Sequence, residues 1–162
     1  MIRRVAGSVA RDRAAYDADV IILALDRVEE TLAAIGSALA QTGVSRRVLI
    51  LDQGSAPAAL DRLAHAVRGR TDAVLYRSDT NLGVAGGRNA LTALGHGRVI
   101  AALDNDAEFA DTNTLARLVD ALDRESDLAA IACRIVSFAT GGDDLSSWGY
   151  PRALLPRAGD SF

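Results

Sequence analysis

Short apolar runs alternate along the chain with segments in which apolar residues recur every three or four positions. The runs carry valine, isoleucine and leucine at consecutive positions, a pattern typical of strands that are buried on both faces. The recurring pattern between the runs is that of amphipathic helices. Alternation of the two indicates an α/β fold with a mostly parallel sheet between helices. We predict strands at residues 20–25, 47–51, 73–76, 99–103 and 128–136.

Turn and capping signals between these runs predict four helices. Asp26 precedes the first helix and Glu29 follows three positions later, an arrangement that resembles an N-terminal cap. Pro57 suits the first turn of the second helix. The third helix is expected at about residues 86–94, after a glycine-rich loop, and the fourth around residues 115–122.

The two ends of the chain depart from this alternation. Residues 1–17 are rich in arginine and have no apolar run, so we expect a frayed leader, with a short amphipathic helix as the alternative. Residues 18–136 hold the α/β domain. Residues 137–162 carry glycine and proline without periodicity, which predicts an irregular tail, either a functional loop or the start of a further region. Exposed apolar residues of the tail would favour a homo-oligomer; they are Leu145, Trp148, Leu154 and Leu155.

Charge and composition narrow the classes of partner and compartment. The chain has 18 basic and 21 acidic residues and a formal net charge of −3, so nucleic acid is not an expected partner. All 18 of these basic residues are arginine and none is lysine, which excludes a catalytic lysine. The high content of arginine, alanine and glycine is typical of a GC-rich bacterial genome. The lone Cys133 is expected to be a small core residue. With no bilayer-spanning run and no signal peptide evident, we expect a cytoplasmic protein.

Carboxylates follow three of the predicted strands directly. Asp26, Asp52 and Asp104 would lie together, because ligands of open α/β sheets bind at the carboxyl ends of the strands. Asp104 and Asp106 are hard oxygen ligands that suit Mg²⁺ or Mn²⁺. A simple turn is the structural alternative for Asp-Asn-Asp. Asp52 could accept hydrogen bonds from a nucleobase, or cap the second helix, as Ser55 could instead.

The loop over residues 81–89 is rich in glycine and precedes a predicted helix. Backbone amides there, together with the helix N-terminus, would favour a phosphate or ribose. Arg88 could add a positive charge. The loop follows the third strand, whereas a dinucleotide fingerprint follows the first, so a nicotinamide cofactor is not expected.

Four segments in this order resemble glycosyltransferase family 2, the inverting nucleotide-sugar transferases of the GT-A fold. They are VIILALDR at 20–27, VLILDQGS at 48–55, NLGVAGGRNA at 81–90 and LDNDAEF at 103–109. The resemblance covers about residues 18–136 and implies a three-layer, Rossmann-like α/β/α fold that is truncated here. Asp26 and Gln53 stand where the family usually has asparagine, and we expect both to change donor specificity more than fold.

The resemblance implies a UDP-, GDP- or dTDP-sugar donor, a Mn²⁺ or Mg²⁺ ion, and a saccharide or other hydroxyl acceptor. It also allows a peripheral location at the inner face of the membrane. The nucleobase would contact the backbone of Ala24, Leu25 and Asp26 and the carboxylate of Asp52. Asn81, Gly83, Arg88 and Asn89 would line the nucleotide pocket. Asp104 would approach the ribose and, with Asp106, hold the metal.

The family's general base is an acidic residue in a later motif that we do not find. Asp143, Asp144 and Asp160 are carboxylates without a convincing family context, so no catalytic residue is assigned. His65 and His96 are expected to be surface or packing residues. The chain is therefore expected to hold the donor-binding half of an enzyme, with residues 137–162 as the start of its acceptor region, and to transfer sugar poorly alone.

Three alternatives compete with this interpretation. A response-regulator receiver would use the strand ending at Asp52, but it needs an acidic pair after the first strand and a lysine after the fifth. A sugar nucleotidyltransferase would need a glycine-rich basic loop after the first strand, where Asp26–Glu29 stands. A non-catalytic nucleotide-binding domain with this fold stays open.

Overall fold

A computed structural model describes residues 1–9 and 16–144 of the chain. Met1–Val119 and Asp120–Phe162 form two compact units. The described strands are β1 (Ile2–Val9), β2 (Ala18–Ala24), β3 (Arg46–Asp52), β4 (Asp72–Ser78) and β5 (Val99–Leu103). The described helices are α1 (Val28–Leu39), α2 (Pro57–Val67), α3 (Gly83–Leu94) and α4 (Thr114–Arg124).

The five strands form one mixed sheet in the order β1-β4-β3-β2-β5. Strands β2, β3, β4 and β5 pair in parallel, and β1 pairs antiparallel with β4. In this register Ala24 lies opposite Asp52, and Asp52 lies opposite Arg77. The predicted mostly parallel α/β sheet is therefore confirmed, and the carboxyl ends of its four parallel strands lie at one edge.

Both faces of the sheet are buried at its centre because β2 and β3 carry consecutive apolar residues, at 20–24 and 48–51. On β3, Val48 and Ile50 pack into one apolar cluster, while Leu49 and Leu51 pack into the other. This separation follows from the two-residue side-chain period of a strand. The first cluster includes residues of α1, α2 and α4, and the second includes Leu91 of α3.

The N-terminal segment forms a strand, contrary to the frayed leader that we expected over residues 1–17. Strand β1 pairs with β4 from Ile2 opposite Ser78 to Val9 opposite Asp72. Backbone pairing to an existing sheet edge holds it, so no long apolar run was needed. Charged side chains such as Arg3 suit an edge strand, because they oppose pairing with further chains.

The expected fifth strand at 128–136 is wrong. Within the described part of Asp120–Phe162, this segment is irregular apart from one antiparallel bridge between Val136 and Asp143. Cys133 is exposed and is not the core residue that we expected. A short apolar run alone does not make a strand, because a strand also needs backbone pairing along its length.

A buried ion pair anchors the end of the sheet opposite the predicted site. Arg47 and Asp19 face each other across β3 and β2 with an N–O distance of 2.6 Å, and both are almost fully buried. Asp19 Oδ2 also accepts hydrogen bonds from the backbone N–H groups of His96 and Gly97, at 2.6 and 2.5 Å. The Arg47 guanidinium lies 4.7 Å from the centre of the Tyr16 ring. These contacts fix the turn between α3 and β5.

The exposure of the two histidines agrees with a further expectation. His65 on α2 and His96 after α3 are both exposed, as expected for surface residues. Among the helices of residues 1–9 and 16–144, none combines the length and apolar character needed to span a bilayer. The tail residues expected to support oligomer formation, Leu145 to Leu155, lie outside the described residues.

Candidate functional site

Hydrogen bonds join the loops that follow β2 and β3 at the carboxyl edge. Gln53 N–H donates to the Ala24 carbonyl at 2.9 Å, and Asp26 N–H donates to Ser55 Oγ at 2.8 Å. Asp26 Oδ1 accepts from Ala56 N–H at 3.2 Å. The two loops therefore brace each other, and the segment from Ala24 to Asp26 is fixed beside the end of β3.

Asp52 is fully buried at the end of β3. Its Oδ2 accepts from Arg77 Nη1 at 2.9 Å, and its two oxygens accept from the N–H groups of Gly54 and Ser55 at 3.3 Å. Arg77 also donates to the Ser55 carbonyl at 3.1 Å. A carboxylate in these surroundings organises the loop over residues 53–55. Complete burial also disfavours the receiver alternative, which needs an accessible phosphoacceptor.

The N-terminal cap expected at Asp26 is wrong, and the capping alternatives for Asp52 and Ser55 are not found either. Helix α1 begins after Arg27, and no side chain caps it, so Asp26 does not act as its cap. Helix α2 begins after Ala56 and has no side-chain cap from Ser55 or Asp52. Asp26 bonds instead to Ala56 at the start of α2, and the Ser55 hydroxyl is used by Asp26. These partners lie about thirty residues apart in sequence, beyond any local capping rule.

The glycine-rich segment is mostly helix. Helix α3 begins at Gly83, three residues earlier than the predicted start at about 86, and the Gly83 N–H is already bonded to Asn81 Oδ1 at 2.8 Å. Gln53 Oε1 accepts from Leu82 N–H at 2.9 Å and so fixes the start of α3. A Cβ on Gly87 would lie 2.8 Å from a Leu23 methyl, so glycine there permits close packing of α3 on the sheet. Asn81 and Asn89 are exposed.

Two arginines contact the acidic pair that follows β5. Arg88 Nη2 donates to Asp104 Oδ1 at 2.6 Å, and Arg27 Nη1 donates to Asp106 Oδ2 at 2.6 Å. Both carboxylates are accessible, with 67% and 49% of the Asp104 and Asp106 side chains exposed. Between them, Asn105 Nδ2 donates to Thr31 Oγ1 on α1 at 3.2 Å. The segment is a turn, and it also presents two carboxylates to solvent.

The donor chemistry of Asp104 and Asp106 fits a divalent ion that is only partly held by protein. Within the described part of the chain, no three His, Cys, Asp or Glu side chains gather as a metal site. Two exposed carboxylates suit Mg²⁺ or Mn²⁺, because these ions keep water and take further ligands from a phosphate. We therefore treat Asp104 and Asp106 as the residues that would hold such an ion.

The model of the family described as glycosyl transferase family 2 matches residues 19–158. The chain belongs to this family. The match covers every loop described above, including the turn that carries Asp104 and Asp106. A sequence search against curated proteins found no match.

Solved structures similar to this family 2 chain include two bacterial complexes and an archaeal one. S. aureus TarS 1-349 in complex with UDP-GlcNAc has a TM-score of 0.59 and 18% identity over 68% of this chain and 32% of that one. The complex of the same protein with UDP has a TM-score of 0.58 and 19% identity, covering 68% and 33%. The mannosyltransferase PcManGT from Pyrobaculum calidifontis, in complex with GDP-Man and Mn²⁺, has a TM-score of 0.56 and 21% identity, covering 80% and 37%.

These likenesses establish the fold of the family 2 chain as GT-A, as expected from its sequence motifs. The chain spans between a fifth and just over a third of the length of the structures that it matches. Their identities are all near one fifth, so the comparison concerns the backbone architecture.

The fold brings most of the predicted site residues to one edge of the sheet. Hydrogen bonds link Ala24, Asp26 and Asp52 through the loop over residues 53–55, and Leu25 beside them is 41% exposed. Three residues that organise the site were not predicted from the sequence to have a positioning role. They are Arg27, Arg77 and Gln53. Arg77 could have been found only from the strand register, which places it opposite Asp52.

Proposed function

We propose that this chain is the donor-binding part of an inverting glycosyltransferase that uses a nucleotide-diphosphate sugar and Mn²⁺ or Mg²⁺. The observation that carries the proposal is the exposed pair Asp104 and Asp106, faced by Arg27 and Arg88, at the carboxyl edge of a family 2 sheet. Carboxylates for a metal and guanidinium groups for phosphate are the two kinds of group that a metal diphosphate needs.

The loops of β2, β3 and β4 would hold the nucleoside. The backbone of Ala24, Leu25 and Asp26 would contact the base, with the exposed Leu25 side chain beside it. Because Asp52 is buried, we assign it a positioning role, in which it holds residues 53–55 through hydrogen bonds. The rest of the nucleotide would contact the first turns of α3, through Asn81, Gly83, Arg88 and Asn89.

The proposed reaction is a single displacement. An acceptor hydroxyl gives its proton to a general base, and its oxygen forms a bond to the anomeric carbon. The bond from that carbon to the diphosphate breaks at the same time, and the nucleoside diphosphate leaves with the electron pair. A divalent ion, when bound, neutralises charge on the leaving diphosphate. Asp104 would lie toward the ribose and Asp106 toward the ion.

No described residue is assigned as the general base. Asp143 is ion-paired with Arg134 at 2.7 Å in the Asp120–Phe162 unit, and Asp160 lies outside the described residues. The chain alone is therefore expected to bind the donor and to transfer sugar poorly. A saccharide or another hydroxyl compound would be the acceptor.

The location that we infer is the bacterial cytoplasm, with the inner face of the membrane as an alternative. An arginine-only set of basic side chains and a single cysteine support it. Nucleic acid is not an expected partner of a chain with a net charge of −3.

Calorimetry with UDP, GDP and dTDP, each with Mn²⁺ or with a chelator, tests this proposal. One of the nucleotides should bind with Mn²⁺ and bind much more weakly without it. Asp106→Asn should reduce binding in Mn²⁺ by about tenfold or more, since an interaction with a charged group is lost. Asp61→Asn, an exposed carboxylate on α2, should bind like the parent chain. Binding of none of the three nucleotides, or equal binding with the chelator, would contradict the proposal.

A further inference from the structure

Two arginine–aspartate pairs close over the carboxyl end of β5. Arg27 donates to Asp106 and Arg88 donates to Asp104, each at 2.6 Å. The arginines come from separate elements, the turn between β2 and α1 and the second turn of α3. Each carboxylate that would hold the metal is therefore already neutralised by a guanidinium of the same chain.

The turn that presents Arg27 is unusual and firmly held. Asp26 and Arg27 have φ angles of 51° and 43°, in the left-handed region that residues other than glycine rarely adopt. Hydrogen bonds from Asp26 to the loop after β3, and from Asn105 to Thr31 on α1, hold this turn against the Asp104–Asp106 segment. The backbone of this turn therefore places Arg27 beside Asp106, although both side chains are about half exposed.

The charges of these two arginine–aspartate pairs balance in two different ways. Without a ligand, two carboxylates and two guanidinium groups sum to zero. A divalent cation on the carboxylates would leave two guanidinium groups without partners, an excess of positive charge. A nucleotide-diphosphate sugar carries one negative charge on each phosphate and would restore neutrality. Guanidinium groups bind phosphate as well as carboxylate, so the same arginines suit both arrangements.

Resting on the proposed function, we infer that Arg27 and Arg88 exchange partners when the site is filled. In the ligand-free protein they occupy the carboxylates of Asp106 and Asp104, in competition with the metal. Binding of the metal releases them, and they then bind the diphosphate. Metal and nucleotide binding are thereby coupled: each is weak alone and strengthens the other, as linkage requires.

The test compares Arg27→Gln with the parent chain in two separate titrations. The first measures Mn²⁺ alone by water-proton relaxation, and the second measures the nucleoside diphosphate by calorimetry in saturating Mn²⁺. Arg27→Gln should bind Mn²⁺ alone about two- to fivefold more tightly, because an exposed competing ion pair is lost. It should bind the nucleoside diphosphate about tenfold more weakly, because a charged hydrogen bond is lost. Arg88→Gln should show the same two opposite changes.

Arg62→Gln is the matched control. It removes an exposed arginine–carboxylate pair, with Glu29, on α2 and α1. It should leave both titrations unchanged. The exchange would be supported if Arg27→Gln binds Mn²⁺ alone more tightly and the nucleoside diphosphate more weakly, while Arg62→Gln binds both like the parent chain.

The remaining outcomes separate the two proposals. If the parent chain binds a nucleoside diphosphate with Mn²⁺ but Arg27→Gln weakens both ligands, or changes neither, the exchange is overturned and the proposed function stands. Tighter Mn²⁺ binding without loss of diphosphate binding also overturns it, since the released arginine would then have no phosphate partner. A parent chain that binds no nucleoside diphosphate with Mn²⁺ overturns both.

Discussion

Contacts between arginine and aspartate hold individual side chains in place in the described sheet. The chain has arginine and no lysine, and the planar guanidinium group of arginine can bind both oxygens of a carboxylate. Arg47 and Asp19 do so in the interior, and Arg70 and Asp72 do so near the surface. The buried pair would be costly to break, because a lone buried charge remains.

Asp72 at the start of β4 offers a pH-dependent test of these contacts. The Arg70 guanidinium, and more weakly Arg46, lower the pKa of this carboxyl below its usual range. The folded state therefore favours the charged form, and the resulting stability is present above the unfolded pKa, about 4. It is lost as the pH falls through the lower pKa of the folded state. Asp72→Asn should lower the free energy of unfolding at pH 7 by about 1 kcal/mol or less.

Urea unfolding between pH 7 and pH 3 measures this effect. The difference between the parent chain and Asp72→Asn should shrink as the pH falls below about 4, because Asp72 of the unfolded chain then takes up a proton while the folded chain still holds the carboxylate. Asp61→Asn, an exposed position on α2, should show a smaller difference at pH 7. A difference that stayed constant across the pH range would show that charge at Asp72 is not the cause.

Residue types at the site were predictable, but their partners were not. Asp26, Asp52, Asp104 and Asp106 stand out because each follows an apolar run closely. The contacts that define their roles come from distant parts of the chain, as with Arg27 and Asp106, 79 residues apart. Local capping rules therefore assigned Asp26 to the wrong helix.

At the level of elements, the close approach of α3 to the sheet depends on Gly87. A Cβ there would lie 2.8 and 3.1 Å from the two Leu23 methyl groups and 3.1 Å from Gln53 Oε1. Gly87→Ala should therefore lower the free energy of unfolding by about 1–3 kcal/mol, as overpacking does. Since Gln53 holds the start of α3, the same change should displace the first turn of that helix.

Gly36→Ala is the control for this prediction. Gly36 lies on α1, and nothing lies within 4 Å of a Cβ added there. Alanine favours a helix over glycine by about 0.8–1 kcal/mol, so this variant should be more stable. Thermal unfolding of both variants measures the contrast. Equal stabilisation by the two substitutions would show that α3 does not pack closely on β2.

Strand prediction succeeded for the apolar runs of β2 to β5 and failed for β1 and for residues 128–136. The runs that became β2 to β5 were located to within a few residues because each is a continuous apolar run. Strands β2 and β3 are buried on both faces, whereas alternate residues of β5 are exposed. Strand β1 has no such run, since an edge strand needs only backbone partners. The apolar segment at 128–136 had the pattern but is irregular apart from the bridge between Val136 and Asp143.

For the whole molecule, the N-terminal strand completes the sheet on the β4 side. Gly7 on β1 has a φ of 70°, and a Cβ there would lie 2.3 Å from the Ala73 carbonyl oxygen of β4. Gly7→Ala should therefore separate β1 from β4 and lower the melting temperature. Loss of this cover would also expose the edge of β4 and promote aggregation.

Gly69→Ala controls for backbone strain in this experiment. Gly69 has a similar φ of 76°, but nothing lies within 4 Å of an added Cβ. Both variants carry the cost of an unfavourable φ, and only Gly7→Ala adds a backbone clash. Calorimetric melting should therefore show a larger loss for Gly7→Ala. Equal losses would mean that β1 contributes little to the stability of the sheet.

The sequence by itself determined the layered α/β fold, the family, and the edge of the sheet where charged side chains gather. Each of these follows from local order: apolar period, strand–helix alternation, and acidic residues placed directly after buried runs. Only the tertiary structure decided which side chains meet. Strand order sets Arg77 beside Asp52, and the turn before α1 sets Arg27 on Asp106. Such contacts depend on strand register and loop packing, and neither of these produces a periodic pattern in the sequence.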